Sequence, residues 1–361
     1  MLKEKIITSS QLFCLLLISK IVISITFGPA IIGKQDFWDY IISSIISYFI
    51  TFIMVIPVYF LHKINPEADG PIFYTKKVFG DFSRIFVIFY AFYFTLVCLH
   101  LLFVFKNFIE NVMNPPISFS LLLIILIILT CYGAYKGIEG IARAGSIIIF
   151  FMFISIIFLG FSLFKNLDYT NFKPFFYNGI EETKSGIIFF LSRSSCISAM
   201  LFLFHSVKGD LKKGIFIWNT IFYLLIITTI IFVIGSLGDF AKTRLFPVYS
   251  ASSITKVLSL ENLDSIYLGL WVCGIFIKLS LFINLLSECV KEVFNQKNNR
   301  TNIPFLCIFL IFLSVFLKVS NLFSGIFSIN FLFVLTLIAS FLIPLFLLMC
   351  YLFKNRAIKK V

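Results

Sequence analysis

Residues 12–32 read LFCLLLISKIVISITFGPAII, twenty-one positions with one lysine, no carboxylate and a Gly-Pro pair toward the far end. At 1.5 Å per helical residue this covers about 31 Å, the thickness of a bilayer's hydrocarbon core. Nine more runs of this kind follow, at 40–61, 85–105, 117–135, 144–164, 185–204, 215–238, 265–286, 303–317 and 331–352, the ninth being the shortest. Only helices and closed barrels satisfy every backbone group in lipid, and these runs lack the apolar-out, polar-in alternation of barrel strands. The sequence therefore predicts an all-α integral membrane protein with about ten transmembrane helices.

Composition leads to the same class. Of 361 residues, 60% are hydrophobic and 13% charged, with 49 Phe and a mean hydropathy of +1.03, which excludes a water-soluble domain of this size. The net charge of +13 is spread over short connections and forms no single patch, so nucleic acid is not an expected partner. Connections on the side of the N-terminus carry about twice the Lys and Arg of the opposite side, which predicts both termini in the cytoplasm. The first run is too long for a cleavable signal and leads into more membrane. Eight cysteines lie singly, without CxxC or a His partner at ligand spacing, and read as small hydrophobes. Two outer loops are long, and the second carries an amphipathic stretch, 249–260, expected to lie along the surface.

Three cations fall inside the runs: Lys20 in the first, Arg193 in the sixth and Lys278 in the eighth. A charge at that depth costs several kcal/mol and marks a cavity or pathway. Lys20 is eight residues into its run, roughly 12 Å by helical rise, farther than its own side chain snorkels. Arg193 sits in a polar cluster with Ser192, Ser194, Ser195, Cys196 and Ser198, whose hydroxyls compete with helical hydrogen bonds and favour a break. Lys20, Ser24, Phe27 and Gly28 share one helical face, and Gly28-Pro29 is a second candidate break. The alternative is that the cations cap carbonyls of interrupted helices or snorkel to the interface. No Asp or Glu lies in any run, so each cation needs an anionic ligand group or exposed carbonyls. Interrupted first and sixth helices meeting at mid-membrane hold small ligands in inverted-repeat transporters, and five spans per half allow such a repeat, at about 10–164 and 185–353 within a single polytopic domain, 1–361. Tyr93 on the third run is a further candidate. We take Lys20, Ser24, Phe27, Gly28, Tyr93, Arg193, Ser194, Ser195, Ser198 and Lys278 as candidate ligand-binding residues. No phosphate loop, zinc motif or hydrolase elbow occurs, so no catalytic residue, metal or cofactor is expected.

Several strings carry a more specific resemblance: YKGIEGIARA at 135–144, NFKPFFYNG at 171–179, FPVY at 246–249 and LDSIYLGLW at 263–271, with Gln11 ahead of the first span. Together they resemble the endospore germination permease family, the GerAB-type B subunits of spore germinant receptors, over essentially the whole chain. The resemblance implies the amino acid–polyamine–organocation superfamily and its LeuT-like, five-plus-five inverted fold with broken first and sixth helices. It further implies a nutrient-sensing subunit in the spore inner membrane, partnered by A and C subunits, that binds a small nutrient such as an amino acid and triggers germination. A proton-coupled amino acid transporter of the same superfamily is the alternative. Sodium-coupled relatives of this fold place a cation between the first and eighth helices, near the position of Lys278, and we expect Lys20 or Lys278 to stand in for it.

Overall fold

The computed structural model describes residues 7–24, 36–65, 71–113, 119–175, 179–257, 260–261, 264–296, 298–319 and 328–358. A short strand, β1 (Ile7–Thr8), opens directly into α1 (Ser9–Ser24). The chain continues through α2 (Phe37–Ile64), α3 (Pro71–Phe79), α4 (Ser83–Phe108) and α5 (Phe119–Phe164). At 46 residues, α5 would be about 69 Å long, twice the hydrocarbon thickness. It is two crossings joined at Gly137, whose φ of 82° and ψ of 178° leave the helical region, a conformation that a Cβ disfavours.

The sixth crossing is α6 (Gly179–Ser192) followed by α7 (Cys196–Leu203), with the gap at Arg193–Ser195 where the hydroxyl cluster predicts it. After β2 (Val207–Lys208) come α8 (Leu211–Leu237), α9 (Phe240–Thr243), α10 (Pro247–Ser253), and the β3 (Lys256–Val257) and β4 (Leu260–Glu261) hairpin. The chain ends through α11 (Asp264–Val293), α12 (Ile303–Val319), α13 (Ile329–Leu337) and α14 (Ile343–Ile358). Eight of the described segments are long and apolar enough to cross a bilayer, and α1 is a shorter apolar helix. Counting α5 as two crossings, the described residues make ten.

Contacts at the ends fix the directions of these crossings. Ile7 and Thr8 pair in parallel with Val207 and Lys208, so the start of the first crossing and the finish of the sixth lie at one end, and the two run in opposite directions. Lys76 reaches Glu292 at that end (3.3 Å), and Asn65 there bonds Tyr351. At the other end the Trp38 indole donates to the Phe172 carbonyl (2.9 Å), and Lys242 bridges Asp36 (2.6 Å) and Asp239 (2.9 Å). Each contact joins loops that ten crossings bring to the same side.

The first part of the stretch at 249–260 lies in α10, which Pro247 starts at a position suited to its missing N–H; the helix buries Pro247, Val248, Ala251 and Ser252 and packs on α8 and α11. The core centres on α1, buried along nearly its whole length and packed between α5, α8 and α11, as befits a helix apolar all round. Outward faces carry exposed Phe49, Phe161, Phe305 and Phe312, the apolar surface that lipid covers. All eight cysteines are free.

Two outcomes follow from this packing. A Cβ at Gly274 would collide with Val22 of α1, whereas at Gly269 it meets nothing within 4 Å. Gly274→Val should therefore lower the melting temperature of the solubilised protein by several degrees, an overpacking cost of about 1–3 kcal/mol, while Gly269→Ala leaves it unchanged. At the Lys242 bridge, burial opposes the charge, but hydrogen bonds to Asp36 and Asp239 outweigh it and raise the lysine's pKa. Stability from a raised lysine is fully present below its unfolded value, about 10.4, and is lost as pH climbs through the higher folded value. Melting temperature should hold constant to about pH 10 and then fall, and Lys242→Gln should remove that alkaline step.

Candidate functional site

Unpaired polar groups inside a membrane are costly, because no water replaces the partner. In the final described turns of α1, side chains of other crossings donate to the backbone carbonyls. Lys278 Nζ on α11 donates to the Ser19 carbonyl at 2.6 Å, Trp271 Nε1 on the same helix donates to Val22 O at 3.3 Å, and Arg193 Nε donates to Ile23 O at 3.3 Å. Ser24 Oγ turns back onto Lys20 O at 2.8 Å. Two of the three intramembrane cations thus meet α1's carbonyls. The close approach of α11 that allows this is the Gly274–Val22 contact.

Arg193 occupies the gap between α6 and α7, 4% exposed. Its guanidinium also donates to Phe189 O and to Ser192 Oγ, both at 3.3 Å, and its carbon lies 3.6 Å from the Phe189 ring centroid, where the ring's negative face favours a cation. The gap itself is tight: Ser194 N bonds Leu191 O and Ile197 N bonds Ser194 O, both at 3.0 Å. Ser198 Oγ closes onto Ser195 O at 2.6 Å. Thr336 on α13 donates to Ser192 O and accepts from Tyr93 on α4, both at 3.2 Å. Tyr93 therefore reaches the break through Thr336 and also through a side-chain hydrogen bond with Ser198.

Lys20 is wholly buried, and its Nζ has no hydrogen-bond partner. It sits among three rings of α8, with centroids 4.2 Å away for Phe222, 4.6 Å for Tyr223 and 5.0 Å for Trp218. The Tyr223 hydroxyl pairs with Thr51 of α2 at 3.0 Å. Such a cage stabilises an ammonium by about 2 kcal/mol or more when desolvated, yet offers its N–H groups no acceptor.

The structure thus gathers Lys20, Ser24, Arg193, Ser194, Ser195, Ser198 and Lys278 around one junction, with Tyr93 at its edge. Phe27 and Gly28, and the break expected at Gly28-Pro29, lie outside the described residues. Trp271, Thr336 and the Trp218/Phe222/Tyr223 cage escaped the sequence reading. The cage alone left a trace, three aromatics at i, i+4 and i+5 on one face of the seventh run. Among the described residues no group of three or more His, Cys, Asp or Glu is placed to hold a metal.

Comparison with known proteins follows the same lines. Spore germination protein XB of Bacillus anthracis is 25% identical over 204 residues, 56% of this chain and 57% of that relative's length. The YfkT protein of Bacillus subtilis (strain 168), whose name assigns it provisionally to spore germination, is 25% identical over 261 residues, 70% of each chain. Among solved structures, a Na+-coupled sialic acid symporter in a substrate-bound outward-open state superposes with a TM-score of 0.63 at 14% identity, covering 94% of this chain and 80% of that one. Its likeness shows the fold, that of a LeuT-like transporter. The family model described as "Spore germination protein" matches residues 6–322. Family and fold point to a permease and away from an enzyme, and the chain belongs to the spore germination protein family of integral membrane permeases.

Proposed function

We propose that the protein is the nutrient-sensing B subunit of a spore germinant receptor, binding a small nutrient such as an amino acid where α1, α4, the α6–α7 gap and α11 meet. The observation that carries this reading is the junction itself, where all three intramembrane cations converge with the only interrupted crossing among the described residues whose gap is filled by hydroxyls and a guanidinium. Lys20, Ser24, Phe27, Gly28, Tyr93, Arg193, Ser194, Ser195, Ser198 and Lys278 supply the site. Ligand that binds one arrangement of the junction better than another shifts the population toward a signalling state, and no chemistry on the ligand is needed. The opposed directions of the first and sixth crossings support two inverted repeats, about 10–164 and 185–353. The excess of cations near the β1 end supports cytoplasmic termini, in the spore inner membrane and in complex with A and C subunits.

Proton-coupled amino acid carriage is a second reading, favoured by the superposition on a symporter. Germination of spores carrying Arg193→Ala, scored over a panel of amino acids and other small nutrients with membrane levels checked by immunoblot, separates the two. A tenfold or greater rise in the half-maximal concentration of one nutrient (roughly 1.4 kcal/mol) at normal protein level is expected, with Arg193→Lys intermediate. An unchanged response to every nutrient demotes Arg193 to a structural cation and favours the carrier, which then must accumulate labelled amino acid in proteoliposomes under a pH gradient. Because the Lys278 ammonium already stands between the first and eighth crossings, replacing sodium by choline should leave the response unchanged; sodium stimulation would exclude this role for Lys278.

A further inference from the structure

At the β1 end of the molecule, away from the α1 junction, a cavity of about 380 Å³ opens between α3, the start of α4 and the end of α11. Its volume lies within the roughly 300–1,000 Å³ range of small-molecule sites. Lys76, Ser83, Arg84, Glu292 and Asn295 supply its polar lining. Lys76 and Glu292 neutralise each other across 3.3 Å, whereas Arg84 makes no ion pair among the described residues. One positive charge of the lining is therefore uncompensated. The cavity also meets the N-terminus of α4, a helix of 26 residues whose first turn receives no side-chain cap, and such an end favours an anion. From Arg84 an apolar stripe runs along α4 into the hydrocarbon, because Ile85, Ile88 and Phe92 share one face and are all exposed. A cationic cavity at the end of a crossing, continuous with an uncovered apolar stripe, matches the two halves of an anionic phospholipid.

The lining discriminates among headgroups. A phosphomonoester approaches two negative charges, more than one uncompensated cation balances, and an ammonium headgroup competes with Lys76 for Glu292. A phosphodiester carries a single charge, and hydroxyls attached to it find acceptors in the Glu292 carboxylate and the Asn295 side-chain oxygen. We propose that this cavity binds the headgroup of a phosphatidylglycerol from the surrounding bilayer. Its phosphodiester meets the Arg84 guanidinium and the first N–H groups of α4, its glycerol hydroxyls meet Glu292 and Asn295, and an acyl chain lies along Ile85, Ile88 and Phe92. The planar guanidinium suits a phosphate better than an ammonium does. The bound lipid adds a second polar tie between α4 and α11 beside the Lys76–Glu292 pair.

The test titrates the full chain, purified in detergent, with phosphatidylglycerol, phosphatidic acid, phosphatidylethanolamine and phosphatidylcholine of identical acyl chains, and with chain-free glycerophosphoglycerol. Lipid adducts are counted by native mass spectrometry, and melting temperature is read in parallel. One phosphatidylglycerol should be retained per chain at a concentration tenfold or more below that of each other lipid and of the chain-free headgroup. Arg84→Gln should erase that preference and Arg84→Lys should keep part of it. Lys136→Gln, which removes an exposed cation elsewhere at the same end, should leave it intact. Glu292→Gln frees the Lys76 charge and removes the hydroxyl acceptor, so it should shift the preference toward phosphatidic acid. Equal retention of phosphatidylglycerol and phosphatidylcholine overturns the proposal. So does an equal loss in Arg84→Gln and Lys136→Gln, which reduces the effect to general surface charge, or chain-free headgroup binding as tightly as the lipid. Unchanged melting temperatures of the lipid-free variants guard against a misfolded Arg84→Gln.

Discussion

Hydrogen-bond donors that other crossings direct at the carbonyls of α1's final described turns are the constraint from which the centre of this molecule is built. A backbone oxygen facing hydrocarbon costs several kcal/mol, and Ser19, Val22 and Ile23 meet donors from two other crossings. Those donors must arrive from the correct side and at the correct depth, so α11 is drawn close enough that only glycine fits at position 274. The α6–α7 gap places Arg193 where a continuous helix would carry its side chain onto the cylinder surface. Two charges that would otherwise be expensive inside a membrane thus become donors to the backbone of a neighbouring helix.

Lys20 shows what happens when the same chemistry is left incomplete. Its ammonium is held by ring faces, which favour charge without fixing direction, whereas Lys278 is fixed by a 2.6 Å hydrogen bond. The first is a soft and reorientable interaction; the second is a directional one. The centre of the molecule thus sets one reorientable contact beside several directional ones, and satisfied polar networks of the second kind are what rigidify a core.

The parts of this arrangement that sequence reveals are those with a one-dimensional signature. Lys20, Arg193 and Lys278 stand out because each interrupts an apolar run, and the gap at Arg193–Ser195 because four serines crowd around it. The opposed directions of the first and sixth crossings follow from the run count. Trp218, Phe222 and Tyr223 do not stand out in a chain with 49 Phe, where an aromatic on a lipid-facing wall and one in a cage look alike until facing helices are known. Thr336 is the one threonine of its apolar run, and its link between Tyr93 and Ser192 exists only in three dimensions.

The β1–β2 pairing has a consequence for how such chains drift apart. Ile7–Thr8 and Val207–Lys208 are joined through main-chain atoms, so the tie between the two opposed crossings is indifferent to which side chains occupy those four positions. The core is less indifferent: only the exposed Thr8 and Lys208 are free to change at will, because Ile7 and Val207 are buried in it; the donors to α1 depend on an indole, an ammonium and a guanidinium that few exchanges preserve. Related chains should therefore keep the shape of this tether, with apolar residues at its two buried positions, after its other letters have changed.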